Sequence, residues 1–153
     1  SSVTLTVFRE DRVAALAQST DALAQALQAE LPGAAQDLVD IRTATQSFSE
    51  SIYRDLQDFC ERIMIAPFSD TSLDALCQDV IDDIGPGAGT ALLGEVHNTG
   101  TAGFPQTNVD DAHGVMVYLP ALPTAYLTTY GTAVDFAADT RWDEYIRDSS
   151  GLP

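Results

Sequence analysis

Apolar residues recur at helical spacing in the first half of the chain, and this pattern constrains the fold more than any other sequence feature. Between residues 13 and 31 they fall at positions i, i+3, i+4 and i+7, which places them on one face of a helix. This stripe consists of Val13, Leu16, Ala17, Thr20, Leu23, Ala24, Leu27 and Leu31. Since 45% of the 153 residues are hydrophobic, the chain can bury such a face in a core.

Helix-capping and helix-breaking residues set the limits of four predicted helices. The first ends at Pro32-Gly33, and a second contains residues 38–41. A third covers roughly 51–64, with apolar residues on one side and charged residues on the other. The fourth follows capping residues at 70–72 and is closed by the glycines and proline of 85–87.

Strands are predicted at the start of the chain and in its second half. Residues 3–8 are rich in β-branched and aromatic side chains, and residues 90–96 and 114–119 have similar character. Short helices are predicted near 125–129 and 142–147. This mixture favours an α/β fold, or more broadly a mixed α+β fold, with the helices of the first half packed on a few strands.

The chain shows neither an internal repeat nor a linker-like stretch, so we expect a single domain over 1–153. Within it, 1–84 would form a strand plus a mainly helical part. Residues 85–153 would supply the remaining strands and C-terminal helices rich in aromatic residues. Such aromatic residues commonly hold terminal helices against a sheet.

The charge balance argues against nucleic acid and anionic membranes as partners. The chain has 23 Asp and Glu residues against seven cationic ones, all of them arginine, and a formal net charge of -16. Phosphate-binding surfaces need clustered Lys or Arg, and here the arginines are scattered. No apolar stretch approaches the roughly 18 to 20 residues that cross a bilayer.

The cysteines and histidines raise the question of thiol chemistry. Cys60 and Cys77 both fall within apolar stripes of predicted helices and have acidic neighbours, so we expect buried thiols that pack in the core. A helix-to-helix disulfide and a reactive thiol are the alternatives. His97 ends a predicted strand and His113 precedes another, and we expect both to be ordinary, half-exposed residues.

A candidate calcium site lies just before the strand at 114–119. Asn108, Asp110 and Asp111 offer the oxygen ligands that calcium prefers. Their spacing lacks the alternating acidic pattern and distal Glu of a helix-loop-helix calcium loop. A solvated acidic loop is the default interpretation, calcium is the alternative, and no other cofactor is indicated.

Three further segments occur in a distinctive order and spacing. They are DLQDFC at 55–60, GVMVYLP at 114–120 followed by Tyr130, and FAADTRWDEY at 136–145. Together with the strand and helix of 5–31, these segments resemble the C-terminal region of the clostripain-like cysteine peptidases. The resemblance spans nearly the whole chain, and its specificity comes from the joint order of the segments.

The resemblance implies part of a caspase-like α/β peptidase that cleaves after basic residues, is often autoprocessed into two chains, and in some members uses calcium. In that family the catalytic His, in a His-Gly pair, and the catalytic Cys both lie before the region matched here. His113-Gly114 looks like the pair but precedes its strand instead of following one. Cys60 stands where the family has a small apolar residue. No catalytic residue is therefore carried over.

The sequence leads to a C-terminal domain or chain that structurally supports a catalytic half located elsewhere. Its partners would be that N-terminal half and peptide substrates with basic residues, which the acidic surface could attract. Secretion or a cell-envelope location is implied only by the family. One rival is a non-catalytic acidic binding domain derived from such a peptidase, possibly cation-binding. Another is an independent enzyme that uses Cys60 or Cys77.

Overall fold

One long helix, several shorter helices and two small antiparallel sheets make up the computed structural model. The structure describes residues 3–47, 52–87, 89–98, 109, 111–120, 130 and 135–149. The helices are α1 (Val13–Ala44), α2 (Leu56–Met64), α3 (Thr71–Ile84), α4 (Asp135–Asp139) and α5 (Trp142–Ser149), with a 3-10 turn at Glu10–Arg12. The strands are β1 (Val3–Phe8), β2 (Tyr53–Asp55), β3 (Leu92–Asn98) and β4 (Met116–Tyr118). The prediction of mixed helix and strand is confirmed.

The first sheet joins the start of the chain to its middle. β1 runs antiparallel to β3, with Val3 opposite Asn98 and Phe8 opposite Leu92. The register shifts between Val7 and Phe8, so one residue of β3 is left over at that point. Both strands were predicted from their β-branched and aromatic content, and both are confirmed within two residues at each end.

The break predicted at Pro32-Gly33 is present, but as an interruption within α1. Two helical segments meet there, and the second, which contains the residues predicted as a separate helix, continues to Ala44. The interruption is a kink, because Ala34 has non-helical backbone angles (φ -121°, ψ 15°). Proline lacks an N–H and crowds the preceding turn, which bends a helix but does not end it when later residues are anchored. Leu38 provides that anchor, since it is fully buried.

The third predicted helix begins later than its apolar pattern indicates. Residues 53–55 form β2, which pairs antiparallel with β4 so that Tyr53 lies opposite Tyr118 and Asp55 opposite Met116. Only from Leu56 does the chain become helical. Pairing with a strand about 60 residues away overrides the local helical spacing, and no window of neighbouring residues contains that information.

The fourth predicted helix is confirmed at both ends. Asp70 caps α3 by accepting hydrogen bonds from the backbone N–H groups of Ser72 and Leu73, each over 2.9 Å. At the other end Gly85 has φ 101°, and a Cβ there would lie 2.2 Å from Oγ1 of Thr90. Glycine is therefore required at this position for both backbone conformation and space.

The C-terminal helix is confirmed, and the core lies where α1 meets α2, α3 and α5. The predicted helix near 125–129 lies outside the described residues, whereas α4 was not predicted. Within the described ranges, no helix is both long and apolar enough to cross a membrane. The largest fully buried side chains are Trp142, Arg42, Tyr145, Phe59, Leu23, Leu27, Leu38, Leu56, Ile63, Ile84, Leu92 and Leu119.

Candidate functional site

A buried carboxylate connects the start of α2 to the segment before β4. Asp55 is fully buried, and its Oδ1 accepts the backbone N–H of Asp58 over 3.0 Å, which caps the helix. Its Oδ2 accepts the backbone N–H groups of His113 over 2.7 Å and Gly114 over 3.1 Å. One side chain therefore provides a helix cap and also fixes the position of a distant loop.

The environment of Asp55 acts on its pKa in two directions. Burial raises the pKa of Asp55 to about 6, while the backbone donors of Asp58 and His113 oppose that rise. A carboxyl group with a pKa near 6 is mostly ionised at neutral pH. Since both oxygens already accept N–H groups, the role of this carboxylate is to hold the start of α2 and the segment before β4 in place.

An aromatic cluster attaches α5 to β4 and α2. The indole Nε1 of Trp142 donates a hydrogen bond to the carbonyl oxygen of Tyr118 over 2.9 Å. The indole ring meets Phe59 edge to face, with centroids 6.0 Å apart, and lies against Tyr145 at 5.6 Å. Tyr118 also stacks on Tyr130 at 4.3 Å. The expected role of the C-terminal aromatic residues is thereby confirmed for α5.

A buried arginine joins three parts of the chain, and the sequence analysis did not identify it. Arg42 near the end of α1 donates from Nε and Nη2 to the carbonyl oxygen of Pro120 and from Nη1 to Oγ of Ser149. Burial lowers the pKa of Arg42. A signal was available, because Ala34, Leu38 and Arg42 are spaced by four residues on one helix face.

The two cysteines lie in the core, as predicted. Cys60 on α2 and Cys77 on α3 are both free and fully buried in the same core cluster. Burial raises the pKa of the Cys60 thiol well above its ordinary range, and the Cys77 thiol and the carboxylates of Asp55 and Glu61 raise it further. A thiolate nucleophile is disfavoured at this position.

Each of the two histidines lies in or beside a strand. His113 is half-buried and donates its N–H to Asp55, immediately before β4. His97 lies in β3 opposite Thr4 of β1. Each histidine thus adjoins a strand where the sequence predicted one.

The calcium candidate is only partly within the described residues. Asn108 and Asp110 lie outside them, whereas Asp111 is exposed and its Oδ2 lies 3.8 Å from Nη2 of Arg62. Arg62 also forms an ion pair with the buried Asp58, over 3.0 Å. In the described ranges, no three His, Cys, Asp or Glu side chains are grouped to hold a metal ion. Calcium binding at 108–111 stays a prediction.

An apolar groove of about 360 Å³ lies between the first turns of α1 and the sheet formed by β2 and β4. Its floor includes Leu16 and Leu56, which belong to the core. Its rim exposes large apolar side chains, since Val13 is 47% exposed, Tyr53 43% and Met116 53%. Exposed apolar rims of this kind are typical of surfaces that contact another molecule.

Comparisons of the chain with protein-family models, with curated proteins and with solved structures find no match. The function of the chain is therefore inferred from the contacts described above. These contacts involve a carboxylate whose two oxygens both accept hydrogen bonds, a buried arginine, two buried thiols and an aromatic cluster. Among the described residues, they form a packed framework beside an apolar groove. Burial disfavours either cysteine as a nucleophile.

Proposed function

We propose that this chain is the C-terminal domain of a clostripain-like cysteine endopeptidase of caspase-like fold, and that it supports a catalytic half which supplies the reactive Cys and His. The observation that carries the proposal is spatial. The three segments that resemble this family, which are far apart in the sequence, contact one another in the structure.

The contacts between these segments are specific. Asp55, the first residue of the 55–60 segment, accepts the N–H of Gly114, the first residue of the 114–120 segment. Trp142, from the 136–145 segment, donates to the carbonyl oxygen of Tyr118 and packs on Phe59. Each segment therefore touches both of the others. Residues that give the family resemblance are also the residues that maintain the fold, which is expected of a structural domain.

A cysteine peptidase needs a reactive thiolate, and neither cysteine of this chain is placed to provide one. In such a peptidase a thiolate attacks the peptide carbonyl, and an imidazole takes up and returns the proton. Cys60 and Cys77 are fully buried, and the pKa of Cys60 is raised. The catalytic thiol and imidazole would therefore come from the other half of the enzyme.

The surface charge favours substrates with basic residues. A net charge of -16 creates a long-range attraction for Arg-bearing peptides, and salt weakens this attraction. In the full enzyme, replacing the exposed Asp79 and Asp82 by Asn should slow substrate association at low salt and flatten its salt dependence. An unchanged association rate would exclude steering by this face.

A second candidate function is a non-catalytic acidic domain that binds a partner. The observation that favours it is the apolar groove with its exposed rim at Val13, Tyr53 and Met116. The same groove would suit the catalytic half of a peptidase. What the rest of the gene encodes distinguishes the two candidate functions.

The test of the proposed function begins with the gene upstream of Ser1. We expect it to encode an apolar strand followed by His-Gly and another followed by an Asp-x-Cys element, and the full product to hydrolyse an arginyl amide. Replacing the upstream Cys by Ala should abolish hydrolysis, whereas Cys60→Ala and Cys77→Ala, as matched controls, should leave it in place. An intact reading frame without these elements would refute the proposal and favour the binding domain.

The calcium prediction has its own test. Binding to the folded state raises the melting temperature, so millimolar calcium should raise Tm if 108–111 forms a site. Magnesium serves as the control ion, and the Asp110→Asn, Asp111→Asn double variant should remove the shift. An unchanged Tm in calcium would eliminate the site.

A further inference from the structure

The two thiols of this chain belong to α2 and α3, which pack against each other. Cys60 and Cys77 are both fully buried in one core cluster. The helices that carry them are joined by residues 65–70. The Cys77 thiol is one of the groups that raise the pKa of Cys60, as expected of neighbours in this core. Two buried cysteines on neighbouring, packed helices meet the first requirement for a disulfide, which is proximity.

We propose that Cys60 and Cys77 form a disulfide when the chain folds under oxidising conditions, and that the native fold then preserves whichever thiol state was set during folding. This inference does not depend on the peptidase assignment. It concerns a covalent link between α2 and α3, two helices that already pack against each other.

The chemistry is ordinary thiol–disulfide exchange with a low-molecular-weight disulfide as the oxidant. The thiolate of one cysteine attacks that disulfide, forms a mixed disulfide and releases one small thiol. The thiolate of the second cysteine then attacks the protein sulfur of the mixed disulfide and releases the second small thiol. In total the protein loses two protons and two electrons, and the small disulfide gains them as it becomes two small thiols.

Burial explains why the state should be set during folding. Neither sulfur is exposed in the native protein, and the raised pKa of Cys60 keeps its thiolate scarce. Exchange in the folded state therefore requires the α2–α3 interface to open. In the unfolded chain both thiols are accessible, so the reaction can occur as the helices come together.

The experiment compares two routes with the same oxidant. In the first, denatured reduced protein is refolded in a buffer of reduced and oxidised glutathione; in the second, folded reduced protein receives the same buffer. Cleavage after arginine places Cys60 in the peptide Asp55–Arg62 and Cys77 in the peptide Ile63–Arg141. We expect these peptides to be joined after refolding, and to remain largely separate over the same time in the folded sample.

The linked form should also be more stable. Closing a loop of roughly 17 residues should raise Tm by about 6 to 12 °C over the reduced form. Cys60→Ala and Cys77→Ala are matched controls that should show no linked peptides and no Tm difference between the two buffers.

Two results would overturn the inference. Refolded wild-type protein that contains only free thiols or glutathione adducts would show that the native geometry rejects the bond. Folded protein that forms the disulfide as fast as refolding protein would show that burial does not protect the thiols from the oxidant. Both readouts use the wild-type chain, so a variant that folds poorly does not affect the conclusion.

Discussion

The side chain of Asp55 accepts the backbone N–H of His113, 58 residues further along the chain, over 2.7 Å. The same carboxylate caps α2 through the N–H of Asp58. The start of a helix and the entry to β4 are therefore positioned by one buried group. If this relationship maintains the fold, removing the carboxylate should cost more than the loss of a helix cap.

Asp55→Ala should lower the free energy of unfolding by about 3 to 5 kcal/mol. Loss of an N-cap costs about 1 kcal/mol, and each buried N–H left without a partner adds about 1 to 3 kcal/mol. Urea unfolding followed by circular dichroism measures the change. Asp70→Ala is the matched control, because Asp70 also caps a helix but its side chain bonds the nearby N–H groups of Ser72 and Leu73. It should lose about 1 kcal/mol. Equal losses for both variants would contradict the long-range role.

Replacing the indole of Trp142 separates its hydrogen bond from its packing. Trp142→Phe removes the bond to Tyr118 but keeps an aromatic ring, so we expect a loss of about 1 to 2 kcal/mol. Trp142→Ala also leaves a cavity beside Phe59 and should lose about 3 to 5 kcal/mol. Chemical unfolding by circular dichroism measures both variants, because the chain has one tryptophan and fluorescence is lost with it. Similar losses of stability for the two variants would show that packing of the indole adds little beyond its hydrogen bond.

Arg42 should tolerate lysine poorly although the charge is kept. The guanidinium reaches both the carbonyl oxygen of Pro120 and Oγ of Ser149, and a single ammonium group lacks that planar fork. Arg42→Lys should therefore lose about 1.5 to 3 kcal/mol in urea unfolding. Arg141→Lys on the exposed surface is the control and should stay within about 0.5 kcal/mol. A neutral Arg42→Lys would show that the bridge contributes little to stability.

Asp143 predicts a pH dependence of stability with a defined sign. Its side chain is buried, and its Oδ1 has no hydrogen-bond partner among the residues that the structure describes. Burial, followed by the neighbouring Glu144, raises the pKa of Asp143 from 3.8 to about 6. The folded state holds this proton more tightly than the unfolded chain, so the stabilisation is complete below about pH 4 and is lost as pH rises through about 6.

Asp143→Asn imitates the protonated form at every pH. The Tm of the variant should match that of the wild type near pH 4 and exceed it at pH 7 by up to about 4 °C. Scanning calorimetry across pH 4 to 7 measures the difference. Asp139→Asn, at an exposed position, should show a smaller change with pH. A Tm advantage at pH 4 that disappears at pH 7 would reverse the predicted sign.

Local sequence signals determined some elements fully and others only in part. The helix at Thr71–Ile84 was predicted with both ends because its cap, its apolar stripe and Gly85 all act within a few residues. β2 was mistaken for helix because its evidence lies in β4, a segment about 60 residues away. Pro32 correctly indicates an interruption, whereas the local pattern does not show that the buried Leu38 keeps the second segment aligned as part of α1.

The residues of the candidate site divide in the same way, into those that local sequence predicts and those that depend on distant segments. Burial of Cys60 and Cys77 could be predicted, because both fall within apolar stripes. Their place in one shared cluster could not, because it depends on how α2 and α3 pack against each other. The role of Asp55 was visible only as part of a family resemblance, since its partners at 113 and 114 meet it through tertiary folding. Arg42 was missed because charged residues at helix ends are usually solvated.

We propose that these residues provide the framework of a peptidase whose reactive groups lie in another part of the protein. The sharpest test is hydrolysis of an arginyl amide by purified Ser1–Pro153, with the Cys60→Ala, Cys77→Ala double variant alongside. Neither protein should show turnover above buffer. Turnover by the wild-type chain that disappears in the double variant would contradict the proposal.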